Sequence, residues 1–305
     1  ENVRKSNLIV SSFSRKAQID NNKVEKTDLL GGVYDKIKPL GSSNKEHLNL
    51  DMKKDANGRH ISYEYNDLVR LSYMLLSKGY ISKETVNNVE YVKALQRTLY
   101  QIGLLKENNI NGKFDHETDS AVKVLQKEMG LDDDGKFGKN TLEAIGKVIF
   151  REYMDKESNT TRKFSYTNGV PHYRQGSKPI LDKNGKIVDY EASEWAAYKY
   201  SIKPLKLYNA DKTKQTLAAS ACGPTSAAMA ISKLTGKTVT PDITSKYAML
   251  TGFRSLNGGT AGGFFKSIGE EYGLNVVETK SSKDVQEALR NGYPIVVNVK
   301  KGKFT

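Results

Sequence analysis

The residue best placed for chemistry is the only cysteine in the 305-residue chain, Cys222. It lies in Ala221-Cys222-Gly223-Pro224-Thr225-Ser226, followed by the apolar run Ala227-Ala228-Met229-Ala230-Ile231. Pro224 suits the first position of a helix, because its fixed φ fits there and its missing N–H has no intrahelical partner to lose. Small and apolar residues continue the helix to Leu234, and Gly236 can end it. A thiol at the mouth of a helix meets the positive end of the helix dipole and free N–H groups. Both favour a thiolate, and both stabilise the oxyanion formed when a carbonyl is attacked. Gly223 lets a substrate backbone come close. The alternative is a buried structural cysteine, since free cysteine often behaves as a small hydrophobe.

A nucleophilic cysteine needs a base and oxyanion donors. All four histidines, His47, His60, His116 and His172, precede Cys222. Three stretches carry a family resemblance. They are Val170-Pro171-His172-Tyr173-Arg174-Gln175, then Ala221 to Met229, then Ala288-Leu289 with Asn291-Gly292-Tyr293-Pro294-Ile295-Val296-Val297. Together they resemble the papain-like cysteine peptidases related to bacteriocin-leader-processing peptidases, over about residues 165–305. The resemblance implies that Cys222 is the nucleophile and Gln175 the side-chain oxyanion donor. Gln215 is the weaker candidate, nearer Cys222 in sequence but outside the opening motif. The resemblance places the base, a histidine, soon after residue 305, with an Asp or Asn to orient it. His172 is then a site-lining or surface residue. The 305-residue chain is expected to hold half a catalytic centre and to have little activity, with a naturally degenerate enzyme as the alternative.

A second pattern occupies residues 91–147. Val92, Leu95, Gln96 and Leu99 form one face of a short helix that stops at Gly103. Asn111-Gly112-Lys113-Phe114 and Asp134-Gly135-Lys136-Phe137 are repeated turns, each feeding a helix. Phe114 and Phe137 are expected to plug the core beneath each turn, and Thr118 and Thr141 to fall near the helix starts. This unit resembles the small three-helix peptidoglycan-binding domain of bacterial cell-wall hydrolases. A three-helix bundle without a ligand is the alternative, since fold alone does not fix function. Asp132-Asp133-Asp134-Gly135 is not an EF-hand loop, because that alignment puts Gly130 and Thr141 where acidic ligands are required. One cysteine and four scattered histidines give no zinc spacing, so neither metal nor cofactor is expected.

The elements that must position these residues fall into an ordered set. Residues 1–60 are polar and are read as a linker or a partly ordered lead-in. Residues 61–150 are read as the helical module, including an extra helix from about Asn66 to Ser77. Residues 151–168 are read as a linker and 169–305 as a cysteine peptidase domain incomplete at its C-terminus. In that last domain helices are expected near 223–235, 241–250, 262–272 and 283–291, with strands near 274–279 and 294–300. Ser281 is expected to cap the fourth helix. Trp195, Tyr198 and Tyr200 belong either to the cleft or to the core. The expected fold is multidomain: an all-α three-helix domain followed by an α+β papain-like domain.

Net charge is +13, with most of the excess in residues 151–305. That suits an anionic setting such as wall polymers or acidic lipid, although charge for solubility explains it equally well. No nucleic-acid motif accompanies it. No apolar run approaches the roughly 18 residues of a membrane span. The chain begins at Glu1, so an export signal removed from its front is expected. These readings converge on a secreted, wall-associated cysteine hydrolase of Gram-positive type, with peptidoglycan and a peptide or protein as its partners. The rival readings are a non-catalytic wall-binding protein and a phage- or conjugation-associated lytic component.

Overall fold

The structure, a computed structural model, describes residues 10–15, 52–54, 60–63, 67–85, 87–153, 156–158, 163–176, 178–185, 187–191, 195–196, 198, 200–201, 216–256 and 259–298. Strand β1 (Val10–Arg15) is followed by a hairpin of β2 (Met52–Lys54) and β3 (His60–Tyr63). Helices α1 (Asp67–Lys78), α2 (Val89–Gln101), α3 (His116–Glu128) and α4 (Lys139–Tyr153) come next. Two hairpins follow, β4 (Tyr166–Thr167) with β5 (Val170–Pro171), and β6 (Lys178–Leu181) with β7 (Ile187–Glu191). The C-terminal part runs α5 (Leu217–Ser220), α6 (Cys222–Thr235), α7 (Pro241–Leu250), α8 (Phe264–Glu271), β8 (Leu274–Thr279), α9 (Ser282–Arg290) and β9 (Ile295–Val297).

The helical unit is built on one device used twice. Gln96 on α2 accepts from Gly112 N (2.8 Å) and donates to Asn111 Oδ1, Lys113 O and Thr118 Oγ1. Gln126 on α3 accepts from Gly135 N (2.9 Å) and donates to Asp134 Oδ1, Lys136 O and Thr141 Oγ1. Each buried glutamine thus satisfies the polar groups of the turn that follows its helix, which lets that turn lie against the core. Phe137 is fully buried under the second turn, and Phe114 is partly buried under the first. Asp115 caps α3 by accepting from Thr118 N. The extra helix α1 is fastened by Arg97, whose guanidinium donates to both oxygens of Asp67 at 2.7 Å.

The helices of the C-terminal part lie within two residues of their expected limits. Helix α6 starts two residues earlier than Pro224 led us to expect, with Cys222 as its first residue, and Pro224 still falls in the first turn, where no N–H is missed. Gly236 ends it in the left-handed conformation at φ 74°. Ser281 caps α9 through its hydroxyl, which accepts from Asp284 N.

Two segments read from sequence as connections carry described structure. The polar lead-in contains β1, which is the centre of a three-stranded antiparallel sheet in the order β8-β1-β9. Val10 pairs with Thr279 and Val297, and Arg15 pairs with Leu274. Phe13 is fully buried there and meets Phe265 edge to face. One phenylalanine and one buried valine suffice to seat a six-residue strand, even within a polar region.

The expected linker at 151–168 is likewise partly structure. Helix α4 runs on through Tyr153. Beyond it, Ser158 N donates to Thr238 O (2.7 Å) and Lys156 O accepts from Tyr272 Oη (2.9 Å). The helical unit also docks directly. Helices α1 and α4 lie on α7, Ser72 Oγ donates to Met249 O, and Ser267 Oγ donates to Glu143 Oε1. Gly146 on α4 faces the Leu250 carbonyl so closely that a Cβ would collide with it. Among the described residues no helix is long and apolar enough to cross a membrane.

Candidate active site

The site begins at the bend between α5 and α6. Ala221, at φ −99° and ψ 31°, breaks the two helices apart, and Cys222 emerges exposed as the first residue of α6. The first N–H groups of a helix have no intrahelical acceptor, and those of Cys222 and Gly223 belong to that set in α6. Behind the thiol the helix is narrow. Ala227, Ala228 and Ala230 are buried with Ile231, and small side chains let α6 sit deep among its neighbours. Thr244 Oγ1 on α7 donates to Pro224 O (2.8 Å) and fixes the first turn from below.

Beneath the bend lies Arg254, only 1% exposed. Its Nε donates to Tyr200 O, its Nη1 to Gly259 O and its Nη2 to Ser220 Oγ, at 2.7, 2.7 and 3.1 Å. The guanidinium carbon stands 4.4 Å from the Tyr200 ring centroid. Tyr200 Oη shares a 2.7 Å hydrogen bond with Thr260 Oγ1. Thr260 in turn fills the space beside Gly223, where a Cβ would lie 3.1 Å from its hydroxyl. Burial pushes the Tyr200 hydroxyl well above its ordinary value; the Thr260 bond and Arg254 pull the other way, and Cys222 adds to the rise.

Gln175 is held against α5, the short helix that precedes α6. Its Nε2 donates to Leu217 O (3.0 Å) and Ala218 O (2.9 Å) on α5, so both amide protons face carbonyls. His172 is exposed, and its Nδ1 lies 3.4 Å from Ser165 Oγ. His116 begins α3 in the helical unit. Gln215 and His47 lie outside the described residues. Trp195, Tyr198 and Tyr200 are core residues, each at most 6% exposed. Trp195 Nε1 donates to Arg174 O, and its ring meets Tyr173 edge to face, which pins the segment leading to Gln175. Sequence reasoning missed Arg254 and Thr260. The one signal was a cation at the end of the apolar stretch Tyr247–Phe253.

Residues 88–145 match the family described as a peptidoglycan binding domain. Residues 202–305 match the Peptidase_C39 like family. The chain joins a peptidoglycan-binding domain to a C39-like peptidase domain. Cys222, Arg254 and Thr260 fall inside the C39-like match, whereas Gln175 and β1 precede it. A curated relative is the N-acetylmuramoyl-L-alanine amidase CwlL of Bacillus licheniformis, 35% identical over 110 residues. That stretch covers 36% of this chain and 29% of the amidase, so the similarity spans less than a third of the relative. No solved structure matches the chain.

Proposed function

We propose that the protein is a cell-wall hydrolase, a peptidase or amidase, that uses Cys222 as its nucleophile and is held on peptidoglycan by its helical domain. The carrying observation is an exposed thiol at the first residue of a helix in the C39-like domain. A helix-mounted thiol beside an antiparallel sheet supports a papain-like α+β architecture. The peptidoglycan binding match and the amidase relative support action at the wall, outside the cell.

In this mechanism the Cys222 thiolate attacks an amide carbonyl carbon. The oxyanion is met by the Cys222 N–H and by a Gln175 N–H turned from its carbonyl on α5. Collapse breaks the C–N bond, the amine leaves with a proton, and water hydrolyses the thioester. The thiol proton passes to a general base, which returns a proton to the leaving amine. The wall domain raises the local concentration of substrate without adding contacts at the thiol.

A purely binding role is the second reading, favoured by the engagement of both Gln175 amide protons with α5 carbonyls. One experiment separates the two. Full-length protein and Cys222→Ala are compared for release of soluble fragments from purified peptidoglycan and for sedimentation with it. The catalytic reading expects Cys222→Ala to abolish release and keep sedimentation; unchanged release removes Cys222 as nucleophile, and no release by either protein leaves the binding role.

A further inference from the structure

We infer that Arg254 is a positioning residue for Cys222, a buried cation that grips both sides of the bend presenting the thiol. The inference rests on the reading of Cys222 as nucleophile. On one side, Arg254 Nη2 donates to Ser220 Oγ, two residues before the thiol. On the other, Arg254 covers the ring of Tyr200 and holds its carbonyl, Tyr200 holds Thr260, and Thr260 abuts Gly223. The bend is therefore clamped at positions 220 and 223, and Cys222 lies between them.

Arginine is an unusual choice for this role if packing alone is required. Burying a cation is costly, and an apolar side chain of similar volume fills space at lower cost. What arginine adds is a planar fork that fixes several acceptors in one geometry while keeping its charge. Here the fork spans three separate parts of the chain, at residues 200, 220 and 259. Arg254 is buried, whereas the thiol it supports is exposed at the first residue of α6.

The test measures the rate at which iodoacetamide alkylates Cys222 at fixed pH, by mass spectrometry, in the full-length protein. Arg254→Met, Arg254→Lys and Ser220→Ala are compared with the parent, with thermal melting as the check on folding. Loss of hydrogen bonds to a charged group predicts that Arg254→Met slows alkylation by about tenfold or more, and kcat with it, while KM stays nearly constant. Arg254→Lys recovers part of that loss by keeping the charge, and Ser220→Ala loses about two- to fivefold by removing one bond. A folded Arg254→Met that alkylates at the parent rate overturns the inference. If Arg254→Met does not fold, Arg254→Lys and Ser220→Ala decide, and parent rates in both overturn it. Retained hydrolysis in Cys222→Ala would instead remove the nucleophile reading, while the alkylation rates still judge the role of Arg254.

Discussion

Arg151 on α4 directs its Nε at both carboxylate oxygens of Glu271 on α8, at 2.8 and 2.7 Å. The Glu271 side chain is 1% exposed, and Lys156 Nζ stands 3.7 Å from it as a second, looser cation. This pair, with its carboxylate buried and its guanidinium partly exposed, joins the last helix of the helical unit to the C39-like domain. Removing one member of such a pair strands the other charge, so Arg151→Ala is expected to cost about 3–5 kcal/mol, softened by Lys156. Calorimetry of the parent should show one transition. The variant should split it, and a single unshifted transition would show that the domains do not depend on this contact.

The paired glutamines give a prediction inside the helical domain. Gln126→Ala removes the acceptor for Gly135 N and the donor for three oxygens, and Gln96→Ala does the same around Gly112. Each is expected to cost about 1–3 kcal/mol, because buried backbone groups are left without partners. Urea unfolding should show a lower midpoint with an unchanged slope. Equal midpoints for parent and variants would mean that water replaces the side chain freely.

Phe13 tests the place of β1. It is fully buried against Phe265 and close to Gly269, although it lies near the front of the chain. Phe13→Ala is expected to cost about 3–5 kcal/mol. Hydrogen exchange should show the loss in β8 and β9, leaving α2 and α3 protected. Loss confined to residues near Phe13 would contradict the sheet order.

Alkaline pH supplies a further test. Burial raises the hydroxyls of Tyr200, Tyr247 and Tyr272 above the ordinary value of 10.0. Each holds its proton more tightly folded than unfolded. Their contribution is complete below about pH 10 and is lost as pH rises toward the folded values. Phenolate absorbance from these residues should therefore appear together with loss of helical signal, above pH 10. A smooth titration near pH 10 with the fold intact would contradict their burial. Tyr247 lies at the domain interface, sharing a hydrogen bond with Ser267, which donates to Glu143, so domain separation should accompany the transition.

Local signals made much of this architecture legible in the sequence. Pro241, Gly236 and Ser281 mark helix ends through their own chemistry, and the C-terminal helices lie where those residues and the apolar spacing put them. The repeated Gly-Lys-Phe turns also announced themselves, and Gln96 stood on the apolar face of its helix, but nothing local showed that Gln96 and Gln126 reach the turns that follow. Strand β1 was hidden for a different reason. Its partners begin at Leu274 and Ile295, at the far end of the chain, and no spacing rule reaches that far. Arg254 was hidden because two of its acceptors are backbone carbonyls, which every residue has. The opening motif singled out Gln175, but nothing in the sequence showed that its amide faces the α5 carbonyls.

The position of β1 also bears on how the protein is made. Because β1 sits between β8 and β9, the helical domain is an insertion within the fold that the sheet closes. A ribosome delivers β1 first, then the whole helical domain, and only much later the two strands that flank β1. The helical domain has local contacts and can complete itself during synthesis, whereas the sheet must wait for contacts of very high sequence separation. During that wait Phe13 is without its native shelter. The sheet therefore closes last, after the helical domain has its own local contacts in place.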